Sequence, residues 1–181
     1  MKRRFRLCAA VILGASFATA VVVGGVYASG GRFNISKSLS LGLYWISNDP
    51  VQKGSYVMFC PPQNSVFSAA KDRGYIGAGF CPGNFGPLMK KVLAAKGDQV
   101  VITAGGVTVN GELLPFSKPL SADGLGRPLP QLLGETFTLG DDDLLLMSDR
   151  SATSFDARYF GLIHRNQITS TIRPGFTWQG E

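Results

Sequence analysis

A chain of 181 residues is long enough for one packed domain plus an appendage and too short for two large domains. Its net charge of +6 is concentrated at the start, where Lys2, Arg3, Arg4 and Arg6 lie within six residues of the first methionine. The remainder is close to neutral, which argues against a nucleic-acid-binding surface.

From Leu7 to Ala28 the chain carries no charged residue, and the stretch LCAAVILGASFATAVVVGGVYA is long enough to span a bilayer as a helix. The basic cluster before it keeps that end in the cytoplasm under the positive-inside rule and places everything beyond Gly31 on the far side. A cleaved secretory signal is the rival reading, since Ala18-Thr19-Ala20 fits a small-x-small cleavage site. The apolar run continues past Ala20, as an anchor does, and both readings export the rest. The expected organisation is therefore an anchor over residues 1–31 and an exported domain over 32–181. Cys8 falls inside the anchor as a packing residue, while Cys60 and Cys81 fall in the exported part, where oxidation makes a Cys60–Cys81 disulfide the expectation.

Directly beyond the anchor, NISKSLSLGLYW presents Ser36, Ser38 and Ser40 at alternate positions. Read alone, that period is the exposed face of a strand leaving the membrane. Further on the chain is β-rich, broken by Gly and Pro. Residues 56–59 read as a buried strand and 67–73 as two helical turns stopped by Gly74. Segments 88–93, 99–103 and 107–109 read as strands joined by turns into a compact antiparallel meander. Between Leu113 and Glu135 four prolines and several glycines predict a long loop, functional or mobile. Asp141-Asp142-Asp143 is a solvated turn rather than a metal site, leading into a strand over 144–147.

A serine nucleophile needs a base. His164 is the only histidine and lies in FGLIHRNQ, a poor setting for a serine–histidine arrangement. A lysine serves when an apolar surrounding keeps it neutral. In LMKKVLAAKGD, a strand puts Lys90 on one face with Leu88 and Val92, and Lys91 on the other with Met89 and Leu93. One of the pair must point inward, and the alternation does not say which.

SKSLSLGLY, then MKKVLAAKGD, GGVTVNGELL and SDRSATSFDARYFG, resembles the ordered motif set of bacterial type I signal peptidases, in particular their conjugative-transfer branch, over almost the whole chain. The resemblance implies a signal-peptidase-like, mainly antiparallel β domain behind one transmembrane helix. It implies Ser38 as nucleophile, Lys90 as general base and the Ser36 hydroxyl as a donor to the oxyanion. Ser154 matches a serine that hydrogen-bonds the lysine. Asp156 and Arg158 match charged residues behind the site, with Asp156 pairing either Lys91 or Arg158. The branch's serine motif has a proline where this chain has Ser40, so the turn after the nucleophile lacks a fixed φ.

The function implied is a serine endopeptidase of the bacterial inner membrane, single-pass with its catalytic domain in the periplasm. It would cleave, and in that branch can cyclise, a pilin or other membrane-emerging precursor, with no metal, cofactor or nucleic acid. A general signal-peptide-cleaving enzyme, a non-catalytic assembly factor of the transfer apparatus and a self-cleaving repressor-type protein are the alternatives. The apolar N-terminal segment, which leaves no room for a DNA-binding domain, disfavours the last.

Overall fold

The computed structural model describes residues 2–178, with side chains from residue 10 onward, so the packing expected of Cys8 lies outside the described residues. Helix α1 covers Lys2–Ala28. Within it Ala10–Ala28 is long and apolar enough to cross a membrane, and none of that stretch is buried. Strands β1 (Gly31–Asn34), β2 (Leu41–Ser47) and β3 (Tyr56–Phe59) follow. Then come α2 (Ser65–Asp72), β4 (Ala78–Cys81), β5 (Leu88–Ala94), β6 (Gln99–Thr103), β7 (Gly106–Val109) and β8 (Glu112–Leu113). The chain closes with β9 (Thr136–Thr138), β10 (Asp143–Met147), α3 (Ala157–Phe160), β11 (Ile163–His164) and β12 (Ile168–Trp178).

Seven strands form one antiparallel sheet in the order β1-β2-β12-β3-β5-β10-β11, and four form a second in the order β8-β7-β6-β9. The expected meander is therefore split. Strand β5 pairs with β3 and β10 in the large sheet, whereas β6 pairs with β7 and β9 in the small one. The reason is burial on both faces of β10. Leu144 and Leu146 join Val57, Phe59, Phe67 and Val92 in one core, while Leu145 and Met147 join Val100, Ile102 and Val107 in another. A strand buried on both sides needs a second layer to cover it. The turn at 96–98 carries the chain into that layer.

The short helix starts two residues earlier than expected, because the Asn64 side chain accepts from the Phe67 N–H and caps it. Strand β12 is the longest, and it is missing from the sequence reading because Pro174-Gly175 interrupts it. The structure accommodates them as a bulge, with Pro174 opposite Tyr44 and Phe176 opposite Leu43. Across from that bulge lies Gly42, at φ +139°, where a Cβ would stand 2.2 Å from the Phe176 carbonyl oxygen. The glycine of the serine motif thus permits β12 to lie against β2.

Cys60 and Cys81 are bonded, tying the end of β3 to β4 across 21 residues of sequence. Replacing both with serine is expected to lower stability by about 3 kcal/mol in the chain-entropy account. Urea unfolding of wild type with and without reductant, beside the double variant, checks this. Reductant should move only the wild type.

Candidate active site

Strand β1 runs from the end of α1 to Asn34, and the polar loop 35–40 carries the serines back into β2. The loop folds over the large sheet because Leu39, 1% exposed, seats among Tyr44, Met58 and Ile172. That anchor turns Ser38 inward. Opposite, β5 settles the choice between its lysines. Lys90 is buried on the side of Val92, while Lys91 faces outward and donates to Asp149 at 2.6 Å.

Lys90 Nζ lies 2.7 Å from Ser38 Oγ, and Ser38 Oγ lies 3.0 Å from Ser154 Oγ. All three residues are buried. Burial pulls the Lys90 ammonium down from 10.5 to about 8, against the opposing pull of the Asp156 carboxylate and with reinforcement from Arg158. A lysine in that range exchanges its proton near neutrality, as a general base must. Ser154 is thus brought to the serine, where the resemblance implied a contact with the lysine.

Asp156 pairs with Arg158, not Lys91. The guanidinium donates through Nε to Oδ1 at 2.7 Å and through Nη2 to Oδ2 at 2.8 Å, both residues fully buried. Arg158 also donates to the carbonyls of Phe116, Lys118, Ala152 and Ser154. Asp156 caps α3 by accepting from the Arg158 N–H. The pair therefore fixes the Ser154 segment and bolts the start of the 113–135 loop to it. The Leu120 N–H donates to the Tyr159 hydroxyl oxygen, and Asp123 binds Tyr75 and Arg127. The long loop is pinned along its length rather than loose.

Two residues of the site escaped the sequence reading. Asn34, 6% exposed, accepts from the Ser36 N–H and hydroxyl and donates to the carbonyls of Ser36, Leu39 and Ser40. Its position two residues before Ser36 is an Asx-turn signal that was available in the sequence. Arg150 donates to Ser40 Oγ, and the Tyr44 hydroxyl donates to the Ser40 carbonyl at 2.9 Å. These bonds hold the turn at the position where the branch has its proline. Ser36 itself is exposed and sits beside Ser38 on the wall of a cleft of about 570 Å³. That cleft extends from Tyr27, at the end of α1, past Phe33 and Pro87 to Ser38 and Lys90.

His164 is exposed in β11, at the opposite edge of the sheet from β1, with its Nδ1 3.3 Å from Asp143. It has no part in a serine–histidine pair with Ser38. Asp141 meets Lys96 at 2.9 Å on the surface, and no cluster of metal-ligating side chains occurs among the described residues.

The arrangement can attack a carbonyl with a serine whose proton passes to a neutral lysine. The family description "Signal peptidase, peptidase S26" matches residues 1–176. The chain is 56% identical over 178 residues to "Plasmid transfer protein TraF" of Escherichia coli, covering 98% of this chain and 100% of that one. It is 37% identical over 151 residues to "Conjugal transfer protein TraF" of Agrobacterium fabrum, covering 82% of this chain and 84% of that one. A solved signal peptidase I of Enterococcus faecalis V583 covers 69% of this chain and 98% of its own at 16% identity, with a TM-score of 0.39. With the family description matching from the first residue almost to the last, and relatives alike over the same span, the chain belongs to the signal peptidases of the peptidase S26 family.

Proposed function

We propose that this protein is a membrane-anchored serine endopeptidase with a Ser38/Lys90 dyad that processes a pilin precursor during conjugative transfer. The observation that carries the reading is the 2.7 Å approach of a buried lysine nitrogen to a buried serine hydroxyl at the end of an open cleft. Ser38 Oγ attacks the scissile carbonyl carbon while its proton passes to Lys90 Nζ. The oxyanion is held by the Ser38 N–H and the Ser36 hydroxyl, which turns toward it. Lys90 returns the proton to the departing amine, and the acyl-enzyme is released by water or by an amine of the same substrate.

Residues 1–31 form a single-pass anchor in the inner membrane with the basic tip in the cytoplasm, and residues 32–181 form the catalytic domain in the periplasm. The cleft's origin beside Tyr27 supports a substrate that emerges from the bilayer. The TraF relatives, named for plasmid and conjugal transfer, support a role in conjugative transfer over general secretion.

The test is co-expression of the full chain with the pilin precursor of its own transfer system, with intact-mass analysis of the product. Wild type is expected to shorten the precursor and Ser38→Ala to leave it whole. A product lighter than the linear one by one water is cyclic. Normal processing by Ser38→Ala overturns the dyad, and normal transfer with an unprocessed pilin leaves the chain as an assembly factor.

A further inference from the structure

The loop that carries Ser38 is organised from inside by one side chain that takes no part in the proton transfer. Asn34 uses both ends of its amide. Its Oδ1 accepts from the Ser36 N–H at 3.1 Å and the Ser36 hydroxyl at 2.9 Å. Its Nδ2 donates to the carbonyls of Ser36 at 2.9 Å, Leu39 at 3.1 Å and Ser40 at 3.0 Å. The amide is buried at the end of β1, and its bond to the Leu39 carbonyl is buried with it, so water does not replace that bond when the amide is removed and the orphaned carbonyl carries a desolvation cost.

We infer that Asn34 is a positioning residue for the oxyanion site: its carbonyl holds the Ser36 hydroxyl at rest and releases it to the oxyanion, while its other bonds keep the loop fixed. The exchange is balanced. When the oxyanion forms, the Ser36 hydroxyl leaves Oδ1 for the new negative charge, and Oδ1 retains the Ser36 N–H. The Ser36 backbone stays in place while only its hydroxyl rotates. The rotation costs the bond to Oδ1, while the backbone that carries the hydroxyl is already in place. Asn34 has no bond to Ser38 Oγ, Lys90 or Ser154 among the contacts of the described residues, so its effect passes through Ser36 and the loop.

The inference rests on the Ser38/Lys90 peptidase reading, and the experiment separates the two. The full-length chain in detergent is assayed on a peptide spanning the precursor's processing site, as Ser36→Ala, Asn34→Ala and the double variant, with melting temperatures recorded in parallel. Ser38→Ala sets the background, and activity surviving it counts against the peptidase reading, not against the role of Asn34. Ser36→Ala is expected to lower kcat about 100-fold and Asn34→Ala about 10- to 100-fold, each with KM within about twofold. The pH midpoint of activity should stay where it is in wild type, and the double variant should lose less than the product of the two single losses. Losses that multiply, or a folded Asn34→Ala with wild-type kcat, overturn the inference. Should Asn34→Ala fail to fold, Asn34→Asp replaces it, since its carboxylate still accepts from Ser36 while losing the donors to the loop carbonyls. The carboxylate holds the Ser36 hydroxyl more tightly, so in that background kcat is expected to fall and Ser36→Ala to cost less than about 100-fold. Wild-type kcat together with the full Ser36→Ala penalty overturns the hold.

Discussion

Lys90→Met is expected to cost about 10⁴-fold or more in kcat/KM and, at pH 6, to make the folded chain more stable than wild type. Both effects come from one burial. The folded lysine titrates near 8, against 10.5 for an unperturbed one. Below pH 8 folded and unfolded chains both hold the proton, and the native state bears the full cost of a buried ammonium. Between 8 and 10.5 the native lysine is neutral while the unfolded one still binds a proton, so wild-type stability rises with pH across that window. The shift corresponds to about 3 kcal/mol. Methionine fills similar space without the charge, and it forfeits the hydrogen bond to Ser38, so a gain of roughly 1–3 kcal/mol at pH 6 is expected, shrinking above pH 8. Wild-type kcat/KM should climb with pH through a midpoint near 8 as Lys90 becomes neutral. Urea unfolding at pH 6 and 10, beside the pH profile of wild type, measures both. An activity profile flat across that range, or an active Lys90→Met, is incompatible with a lysine base.

The second large effect is expected at Arg158. Truncation to alanine leaves the Asp156 carboxylate buried without its partner and strips donors from the carbonyls of Phe116, Lys118, Ala152 and Ser154. Breaking a buried ion pair from one side costs about 3–5 kcal/mol, and the orphaned carbonyls add to it. Against a total stability of about 5–15 kcal/mol for a domain, Arg158→Ala should fold poorly or not at all. Removing both charges, as Asp156→Asn with Arg158→Met, should cost clearly less than Arg158→Ala, because no unpaired charge remains. Denaturant midpoints of the single and double variants decide it. A single variant as stable as wild type would mean that the pair contributes nothing to holding the Ser154 segment.

Much of this site is written locally. The alternation around Lys90 restricted the inward choice to two lysines, and the resemblance carried by four ordered motifs pointed to Ser38, Ser154, Asp156 and Arg158, with the partner of Asp156 left open between Lys91 and Arg158. Which lysine points inward was not local. It depends on β5 lying between β3 and β10, with Val57 opposite Lys90 and Met147 opposite Lys91. The same limit hid β12, since a run containing Pro174-Gly175 reads as broken until a partner strand with a glycine at 42 accommodates the bulge. Arg150 and Ser40, 110 residues apart in sequence, meet only once the fold is closed. The split of the expected meander has a similar origin. Turn residues mark where a chain reverses and say nothing about which layer it enters, and that is decided by the apolar residues on both faces of β10.

The joint between α1 and β1 sets a length. A Cβ on Gly31 would fall 2.4 Å from Val26, and Arg32 lies over the Tyr27 ring while donating to its carbonyl, so strand and helix end are in direct contact. Four residues of β1 then separate the helix end from the nucleophile loop, a rise of roughly 13 Å in extended chain. A floppy tether would let Ser38 sample many heights above the end of α1, whereas these contacts hold the start of β1 against the helix end. The strand therefore acts as a ruler: under the peptidase reading proposed above, the length of β1 would set how far beyond the end of α1 a bond must lie to meet Ser38.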